Sequence, residues 1–383
     1  MREFINFGIP NTGLANDCAA MAAAGMKVIR VAFGFYDYAG WRDYYYNAQA
    51  AYWAKVDQVM DAISGAGLMV IANMGWSPRA FSQLTYLSNG GVTLPPRQMA
   101  DKSSPLYALM EGYLTAFVQR YKNHPAVAAW EFGNENSVAL GNEFRAEWPL
   151  DGTGTDGGAT PLPASTNWGT KPEGGTYAAA DKMSNADYQR FCGHLRDICY
   201  RNDPWGRMVL SGDAMGNAFA VSTRRANTLA NDSRADWNGR ADTGGMSWLA
   251  YRETEFSAVC NHIYPLATDT SKTAFYSDGV RTYGQHIADS KGWADAAERA
   301  FVLEEFGATR YGSPVDPIST DLTTETANFT AALNGIVASD VPLALVWNWG
   351  GALGAVEWQK WDITHSSRIY QLQAIQAVNA WRT

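Results

Sequence analysis

The stretch VIRVAF, residues 28–33, and the stretch MVIAN, residues 69–73, decide the fold class of this chain. Both are almost continuously apolar, which is typical of parallel strands that helices cover on both faces. Outward from these two stretches, apolar β-rich runs alternate with amphipathic helical runs along the whole sequence. The eight predicted strands, numbered in chain order, are residues 4–8, 28–33, 69–73, 127–132, 208–211, 259–263, 301–304 and 344–347.

A helical run follows each predicted strand, and this order is that of a (β/α)8 TIM barrel. Gly25 and Gly67 stand where helices should end, and Asp17 and Ser184 stand where helices should begin. An open, doubly wound sheet also alternates strands and helices, but it seldom has eight units. Because no repeat or linker divides the chain, we expect one α/β domain over residues 1–383. The predicted helices are residues 17–24, 52–66, 106–121, 185–201, 247–256, 279–290, 324–339 and 369–381.

The length in excess of a minimal barrel lies in segments that follow strands. Residues 75–104 follow the third predicted strand, and the long loop 136–183 follows the fourth. These segments contain Trp76, Trp148 and Trp168. In barrel enzymes the loops after the strands form the active-site face, so long aromatic loops are expected on that face.

The composition favours a carbohydrate partner over nucleic acid or membrane. The 30 Lys+Arg against 38 Asp+Glu give a net charge of −8, and no run of basic residues offers an anion-binding surface. The 15 Trp and 19 Tyr offer flat apolar faces with one polar atom each, which suits a sugar-binding groove, although a large aromatic core would use them equally well. We expect a polysaccharide or oligosaccharide substrate and a monomeric protein.

Several motifs that would indicate other chemistries are absent or lack the context they need. GTGTDG at residues 152–157 matches a dinucleotide fingerprint, but no predicted strand precedes it and no helix follows it. The acidic residues of segment 151–158 lack the further ligands of a calcium site, and the five histidines form no metal-binding pair. No cofactor and no metal are therefore predicted.

The cysteines and the first residues of the chain bear on its compartment. Cys18, Cys192, Cys199 and Cys260 form no close pair, so they are expected to be free buried thiols. The opening MREFINFGIP lacks the charged start and long apolar run of a signal peptide. Secretion, with such a segment removed, is favoured over a cytoplasmic location.

Two carboxylates at predicted strand ends carry the chemistry. The fourth strand ends in WEFGNEN, which contains Glu135, and the seventh ends in FVLEEFG, which contains Glu305. Side chains at the carboxyl ends of barrel strands point into the active-site face. Two carboxyl groups that meet there are the equipment for glycoside hydrolysis.

The strings GNE at residues 133–135 and EFG at residues 305–307 resemble those of the clan A retaining glycoside hydrolases, most closely family 5. WEFGNEN, HIYP, LEEFG and WNWGG look most like the β-mannanase branch of that family. The resemblance covers the whole chain in order and implies a TIM barrel that cleaves β-glycosidic bonds with retention of configuration.

The resemblance also implies a role for each site residue. Glu305 would be the nucleophile and Glu135 the acid/base, while Arg30 and Tyr264 would favour the ionised form of Glu305. The substrate-binding residues would be Arg30, Asn134 at the sugar 2-hydroxyl, His262, Tyr264, Trp347 at the floor of the −1 subsite, which holds the sugar to be cleaved, and Trp76 in the aromatic loop.

Two neighbours of the catalytic carboxylates and two departures from the family pattern need separate interpretation. Glu304 should point away from Glu305, because side chains alternate along a strand. Glu131 should be a structural residue with a buried partner. The family often has a His at the end of the third strand, where this chain has ANMGW at residues 72–76, and a Pro where this chain has Asn136, so the −1 subsite is expected to differ.

The leading hypothesis is a retaining endo-β-glycanase with β-1,4-mannan or glucomannan as the favoured substrate. An endo-β-glucanase or an exo-β-glycosidase could use the same barrel, since the long loops could line a cleft or close a pocket. A barrel that binds polysaccharide without cleaving it is the alternative from another class, and the presence of both carboxylates disfavours it.

Overall fold

The computed structural model of this protein describes most of the predicted barrel. The described residues are 13–135, 171–175, 177, 181, 183, 185–212, 256–265, 271, 281–296, 298–308, 322–349, 362–364 and 368–382. The first predicted strand, segment 151–158 and most of loop 136–183, with Trp148 and Trp168, lie outside this part of the chain. Of the predicted helix 247–256, only Phe256 is described.

The described strands confirm the second to the eighth predicted strands. Each described strand coincides with a predicted run to within a few residues. The predicted runs already have the usual length of a strand in a globular protein. The strands are β1 (Val28–Ala32), β2 (Met69–Asn73), β3 (Val127–Glu131), β4 (Met208–Leu210), β5 (Ala258–Ile263), β6 (Ala300–Phe306) and β7 (Leu343–Val346).

All the described strand pairs are parallel, and they form one sheet in the order β1-β2-β3-β4 and another in the order β5-β6-β7. The two sheets contact each other at both edges, β4 against β5 and β7 against β1. Small and branched side chains from these strands fill the space that they enclose, including Ile71, Ala129, Cys260 and Val302. The fold is a (β/α)8 barrel with a packed interior.

The long helices match the predicted ones, with small shifts at their ends. Helix α1 begins at Leu14 after Gly13, so Asp17 lies in its first turn and is not the N-cap that the sequence suggested. Gly25 and Gly67 have positive φ and end α1 and α2 in the expected left-handed conformation. The helices are α1 (Leu14–Ala23), α2 (Gln49–Gly65), α3 (Pro105–Tyr121), α4 (Asn185–Asn202), α5 (Tyr283–Ala296), α6 (Leu322–Ala338) and α7 (Ile369–Arg382).

The segments after β1 and β2 form short helices on the active-site face. Their bounds are Tyr38–Gly40, Trp41–Tyr46, Pro78–Ser82, Thr85–Ser88 and Pro96–Ala100. The short helices after β2 lie within residues 75–104, whose excess length the sequence predicted to lie on this face. No helix in the described part of the chain is long and apolar enough to cross a membrane.

Many of the aromatic residues form a core between the strands and helices α2 and α3. Trp41, Tyr45, Tyr52 and Tyr113 pack edge to face, with Trp41 and Tyr113 centroids 5.3 Å apart. The hydroxyl of Tyr52 donates to Phe33 O at 3.0 Å, so this core also fixes the carboxyl end of β1. For these four residues, the alternative that the many aromatic side chains form a core is therefore correct. All four cysteines are free and buried, as expected.

Strand β6 has a β-bulge at the two residues Glu304 and Glu305. Against β5, Asn261 pairs with Leu303 but His262 pairs with Glu305, so Glu304 has no partner on that strand. The register against β7 also shifts between Leu303 and Phe306. A bulge breaks the alternation of side chains. Leu303 and Phe306 face the helices, and both glutamates between them contact groups inside the barrel.

Candidate active site

A buried ion pair forms the floor of the candidate site. Arg30 on β1 donates from Nε to both carboxylate oxygens of Glu131 on β3, at 3.1 and 2.8 Å, and its Nη2 also contacts Glu131. Asn73 on β2 donates to Glu131 Oε1 at 2.9 Å and to Gly133 O at 2.7 Å. Complete burial raises the pKa of Glu131, and Arg30 opposes that shift. Glu131 therefore has the buried structural role that the sequence predicted.

Glu305 is held by two donors from different strands. Arg30 Nη1 donates to Oε1 at 2.7 Å, and the Tyr264 hydroxyl donates to Oε2 at 2.5 Å. Burial and the negative charge of Glu305 raise the pKa of Tyr264 well above its usual value, so this hydroxyl stays protonated and can only donate to the carboxylate. Burial disfavours the charged form of Arg30, but the surrounding carboxylates outweigh this and raise its pKa. The guanidinium and the hydroxyl thus fix both carboxylate oxygens of Glu305 in place.

Glu304 also faces the barrel interior, so the prediction that it points away from Glu305 is wrong. Its Oε2 lies 4.0 Å from Arg30 Nη2 and 3.7 Å from His262 Nε2. The bulge in β6 is the physical reason, because the alternation rule applies only to a regular strand. Three carboxylates therefore share the single guanidinium of Arg30, those of Glu131, Glu304 and Glu305.

Glu135 is placed by a tight turn after β3. Gly133 has φ 123° and Glu135 itself has φ 49°, a conformation that few non-glycine residues adopt. The backbone N–H of Glu135 donates to Gly212 O at 2.7 Å, and that of Asn134 donates to Trp76 O at 2.9 Å. The Glu135 side chain is 27% exposed, against 5% for Glu305, so Glu135 is the carboxylate more open to solvent.

His262 on β5 connects the two candidate catalytic carboxylates. Its Nδ1 lies 2.9 Å from Glu135 Oε1 and 3.4 Å from Glu305 Oε2, and its Nε2 faces Glu304. Burial would lower the pKa of His262, but the negative charges of Glu305, Glu135 and Glu304 outweigh it and raise the pKa to about 10. The imidazolium is thus a second cation among four carboxylates.

The carboxylates of Glu135 and Glu305 approach each other closely. One ligand atom each from Glu135, His262 and Glu305 lie within 4.8 Å of one another. The same three atoms could surround a metal ion, but a charged His262 is no ligand, and Arg30 already pairs with Glu305. A close approach of the two carboxylates is the arrangement of retaining hydrolysis, in which the carboxyl groups are about 5–5.5 Å apart.

Aromatic rings line one side of the site. Trp76 lies between Trp347 and Tyr36, with ring centroids 6.2 Å from each, and Tyr36 is 44% exposed. Two buried polar atoms near these rings have no hydrogen-bond partner, Trp76 Nε1 and Asn134 Oδ1. One is a donor and the other an acceptor, and a sugar hydroxyl can serve both. A buried polar atom without a partner costs about 1–3 kcal/mol, so a bound sugar would remove an existing penalty.

The structure brings the predicted site residues together at the carboxyl ends of their strands. The carboxylates, Arg30, His262 and Tyr264 are joined by direct contacts, whereas Trp76, Asn134 and Trp347 lie along the wall. Sequence reasoning missed the support that Asn73 and Gly212 give to the turn holding Glu135. For Asn73 a signal existed, because an amide at a strand end needs a polar partner when it is buried.

Gly212 is required by close packing as well as by conformation. It has φ 68°, and a Cβ there would lie 2.2 Å from Gly133 O and 2.3 Å from Glu131 Oε1. Its carbonyl oxygen is the acceptor for the Glu135 N–H. Nothing in the local sequence around residue 212 predicts this contact, since its partners come from β3.

Comparisons with known proteins agree with this arrangement. The model of the family described as Cellulase (glycosyl hydrolase family 5) matches residues 7–187. No curated protein matches the sequence significantly. Among solved structures, an endo-1,4-β-mannanase from Rhizomucor miehei is similar with a TM-score of 0.61 and 14% identity, covering 98% of this chain and 92% of that one.

Two further structures show the range of activities among similar folds. A hyperthermostable endo-1,4-β-D-mannanase from Thermotoga petrophila RKU-1 has a TM-score of 0.59 and 12% identity, with 97% of this chain and 96% of that one covered. The exo-β-1,4-mannosidase Op5Man5 from Opitutaceae bacterium strain TAV5 has a TM-score of 0.56 and 15% identity, with 97% and 56% covered. At these identities the likeness concerns the fold.

Proposed function

We propose that this chain, a clan A glycoside hydrolase most like family 5, is a retaining endo-β-glycanase that cleaves β-1,4-mannan or glucomannan. The observation that carries the proposal is the approach of the Glu135 and Glu305 carboxylates, one oxygen of each lying within 4.8 Å of the other. A close pair of carboxylates favours retention, because an inverting enzyme keeps its carboxyl groups about 6.5–9.5 Å apart to make room for a water.

Glu305 is the nucleophile in this proposal. Arg30 and Tyr264 hold its two oxygens, so the carboxylate is oriented before the sugar arrives. One oxygen attacks the anomeric carbon, the bond to the leaving oxygen breaks, and a covalent glycosyl-enzyme forms. Fixing the nucleophile in this way lowers the entropic part of the barrier.

Glu135 is the acid/base, because it is the more exposed carboxylate and sits on the turn after β3. It protonates the leaving oxygen in the first step. In the second step it removes a proton from the water that attacks the glycosyl-enzyme, and so recovers its own proton. His262 lies 2.9 Å from Glu135 Oε1 and orients this carboxyl group toward the bond to be cleaved.

The aromatic wall supports the choice of an extended substrate. Trp347 would stack against the sugar in the −1 subsite, and Trp76 and Tyr36 continue the row toward solvent. The exposed parts of the Trp347 and Tyr36 rings would each contribute on the order of 1 kcal/mol by burial, whereas Trp76 is only 4% exposed and supports the two rings beside it. Asn134 Oδ1 and Trp76 Nε1 would bind sugar hydroxyls. The names of the similar mannanases support mannan over other β-glycans.

The test is a product profile with kcat/KM for mannohexaose, cellohexaose and mannobiose. We expect mannohexaose to be cleaved fastest, internally, with β-configured initial products seen by NMR. A preference for cellohexaose would refute the mannan assignment, release of single terminal sugars would refute the endo mode, and an α-configured initial product would refute retention. Binding of oligosaccharide without cleavage would refute catalysis altogether.

A further inference from the structure

A buried polar cluster lies on the helix side of β5, outside the active site. Asn261 on β5 and His286 and Ser290 on α5 are fully buried. Asn261 Nδ2 lies 2.9 Å from His286 Nε2 and 3.1 Å from Ser290 Oγ, and Asn261 Oδ1 accepts from the backbone N–H of His262 at 2.9 Å. We call these three residues the Asn261 network.

The hydrogen-bond directions in the Asn261 network follow from chemistry alone. The backbone N–H of His262 can only donate, so the amide atom that faces it must be the oxygen of Asn261. The NH2 group of Asn261 then faces His286, whose Nε2 must accept and whose proton must be on Nδ1. Burial lowers the pKa of His286 to about 3, which agrees with a neutral ring.

The Asn261 network acts at the residue where the register of the sheet changes. Asn261 pairs with Leu303, and the next residue of β5, His262, pairs with Glu305. Glu304 is the additional residue of β6 at this point. Asn261 Oδ1 accepts from the backbone N–H of His262, which pairs with β6 at the bulge. The network therefore restrains this part of β5 from the helix side of the sheet.

We propose that Asn261, His286 and Ser290 are positioning residues that hold the bulge of β6 in register and thereby aim His262 and Glu305 at the substrate. This inference rests on the proposed function, since it concerns the geometry of that reaction. None of the three residues touches the substrate site; they act through the backbone of His262.

A shift of the bulge would have a specific consequence. A slip of one residue turns a side chain to the other face of a strand. Glu305 would then leave Arg30 and Tyr264 and face the apolar cluster that contains Leu303 and Phe306. Even a displacement of about 1 Å at a reacting group can cost about a hundredfold in rate.

The decisive variants are His286→Leu and His286→Gln. Leucine removes the acceptor from the Asn261 network, whereas the Gln side-chain oxygen can replace the imidazole Nε2. We expect His286→Leu to lower kcat by between about tenfold and a hundredfold with KM within about twofold, and to shift the limbs of the kcat/KM pH profile. His286→Gln should recover most of the kcat.

Tyr121→Phe is the matched control. It removes a side-chain hydrogen bond of 2.8 Å to Asp57 between α2 and α3, away from the bulge. It should lower Tm without changing kcat or the pH profile. A His286→Leu enzyme with wild-type kcat and pH limbs would overturn the positioning role, as would a Gln variant no better than the Leu variant.

Two measurements keep the proposal testable if His286→Leu does not fold. Ser290→Ala removes one of the two acceptors for Asn261 and should lower kcat less, in the same direction. In ¹⁵N NMR of the wild-type protein, His286 should be neutral with its proton on Nδ1; the other tautomer would overturn the network. A wild-type protein that cleaves no β-glycan would refute the proposed function instead, without bearing on this NMR result.

Discussion

Replacing Glu135 and Glu305 by alanine, one at a time, separates the two roles proposed for these carboxylates. Glu305 receives hydrogen bonds from Arg30 at 2.7 Å and Tyr264 at 2.5 Å and has a 5% exposed side chain. Glu135 is 27% exposed and contacts His262. Each variant therefore removes a different contact set from the same site, and the expected losses can be worked out separately.

The effect of Glu305→Ala on stability should be small. The variant loses two hydrogen bonds, each worth about 1.5–3 kcal/mol when one partner is charged. It also removes repulsion between carboxylates, which at about 5 Å and an effective dielectric constant of about 20 is about 3 kcal/mol per pair. Glu304 lies near enough to repel Glu305, whereas Glu135 acts as the acid in the first step, so the relief of one repulsion offsets part of the loss. We expect Tm to stay within a few degrees of the wild-type value.

The effect on activity should be large and should differ between the two variants. Loss of a general acid costs about 10²–10⁴ in rate, so Glu135→Ala should lose this in kcat/KM on a polysaccharide but much less in kcat/KM on a dinitrophenyl glycoside, whose leaving group needs no proton. On that substrate kcat should still fall, because hydrolysis of the glycosyl-enzyme lacks its base. Glu305→Ala should lose activity on both substrates, because no covalent intermediate can form.

Azide provides the assay that distinguishes the roles. With Glu135→Ala, azide should attack the glycosyl-enzyme and give a β-azide; with Glu305→Ala it should displace the leaving group directly and give an α-azide. NMR of the azide product reads the configuration. Full activity in either variant would refute its catalytic role, and exchanged azide configurations would show that the two assignments are reversed.

Three further predictions concern the turn, the charge and the wall of the site. Gly212→Ala should lower both Tm and kcat, because its Cβ would overlap Gly133 O and Glu131, whereas Gly206→Ala, at φ 60° with open space around it, shares only the backbone strain; equal effects on kcat would contradict this. The pKa of His262 is raised to about 10, so its charged form stabilises the fold fully below pH 6.5, and this stabilisation is lost as the pH rises through 10. Between pH 6.5 and 10, the unfolding free energy of the wild type should therefore fall more steeply with pH than that of His262→Gln, by up to about 1.4 kcal/mol per pH unit. Urea titrations of both proteins measure these free energies, and parallel curves would contradict the prediction. Tyr36→Ala should raise KM for mannohexaose and leave mannobiose unaffected, since Tyr36 is the outermost ring of the wall; an equal rise for both would place it in the −1 subsite.

The strands of this barrel could be predicted because a strand that is buried on both faces is apolar at nearly every position. Runs such as residues 28–33 and 69–73 need apolar side chains at every position, and their observed bounds agree with the predicted ones. Gly25 and Gly67 could also be predicted as helix ends, since a left-handed residue is needed there. The start of α1 was less predictable. Gly13 precedes the helix without a side-chain cap, so the acidic residue of the first turn is the more visible start signal.

The contacts of the site were harder to predict than its residues. Arg30 and Tyr264 could be placed at strand ends, but that Arg30 divides its donors between Glu131 and Glu305 depends on the barrel's closed geometry. The role of Gly212 depends on a turn from another strand. Such contacts join distant segments, and no local pattern in one segment encodes them.

The orientation of Glu304 was predicted wrongly, yet the sequence contains a physical argument for the observed one. Strand β6 carries two adjacent carboxylates, and regular alternation would place one of them among Phe301, Leu303 and Phe306 on the helix side. A charge buried there without a partner would be very costly. The barrel interior offers Arg30 and His262, so a bulge that turns both glutamates inward is the less costly solution. Adjacent carboxylates in a strand covered on both faces should therefore predict a bulge, and a bulge in turn needs support from the neighbouring strand, which Asn261 supplies here.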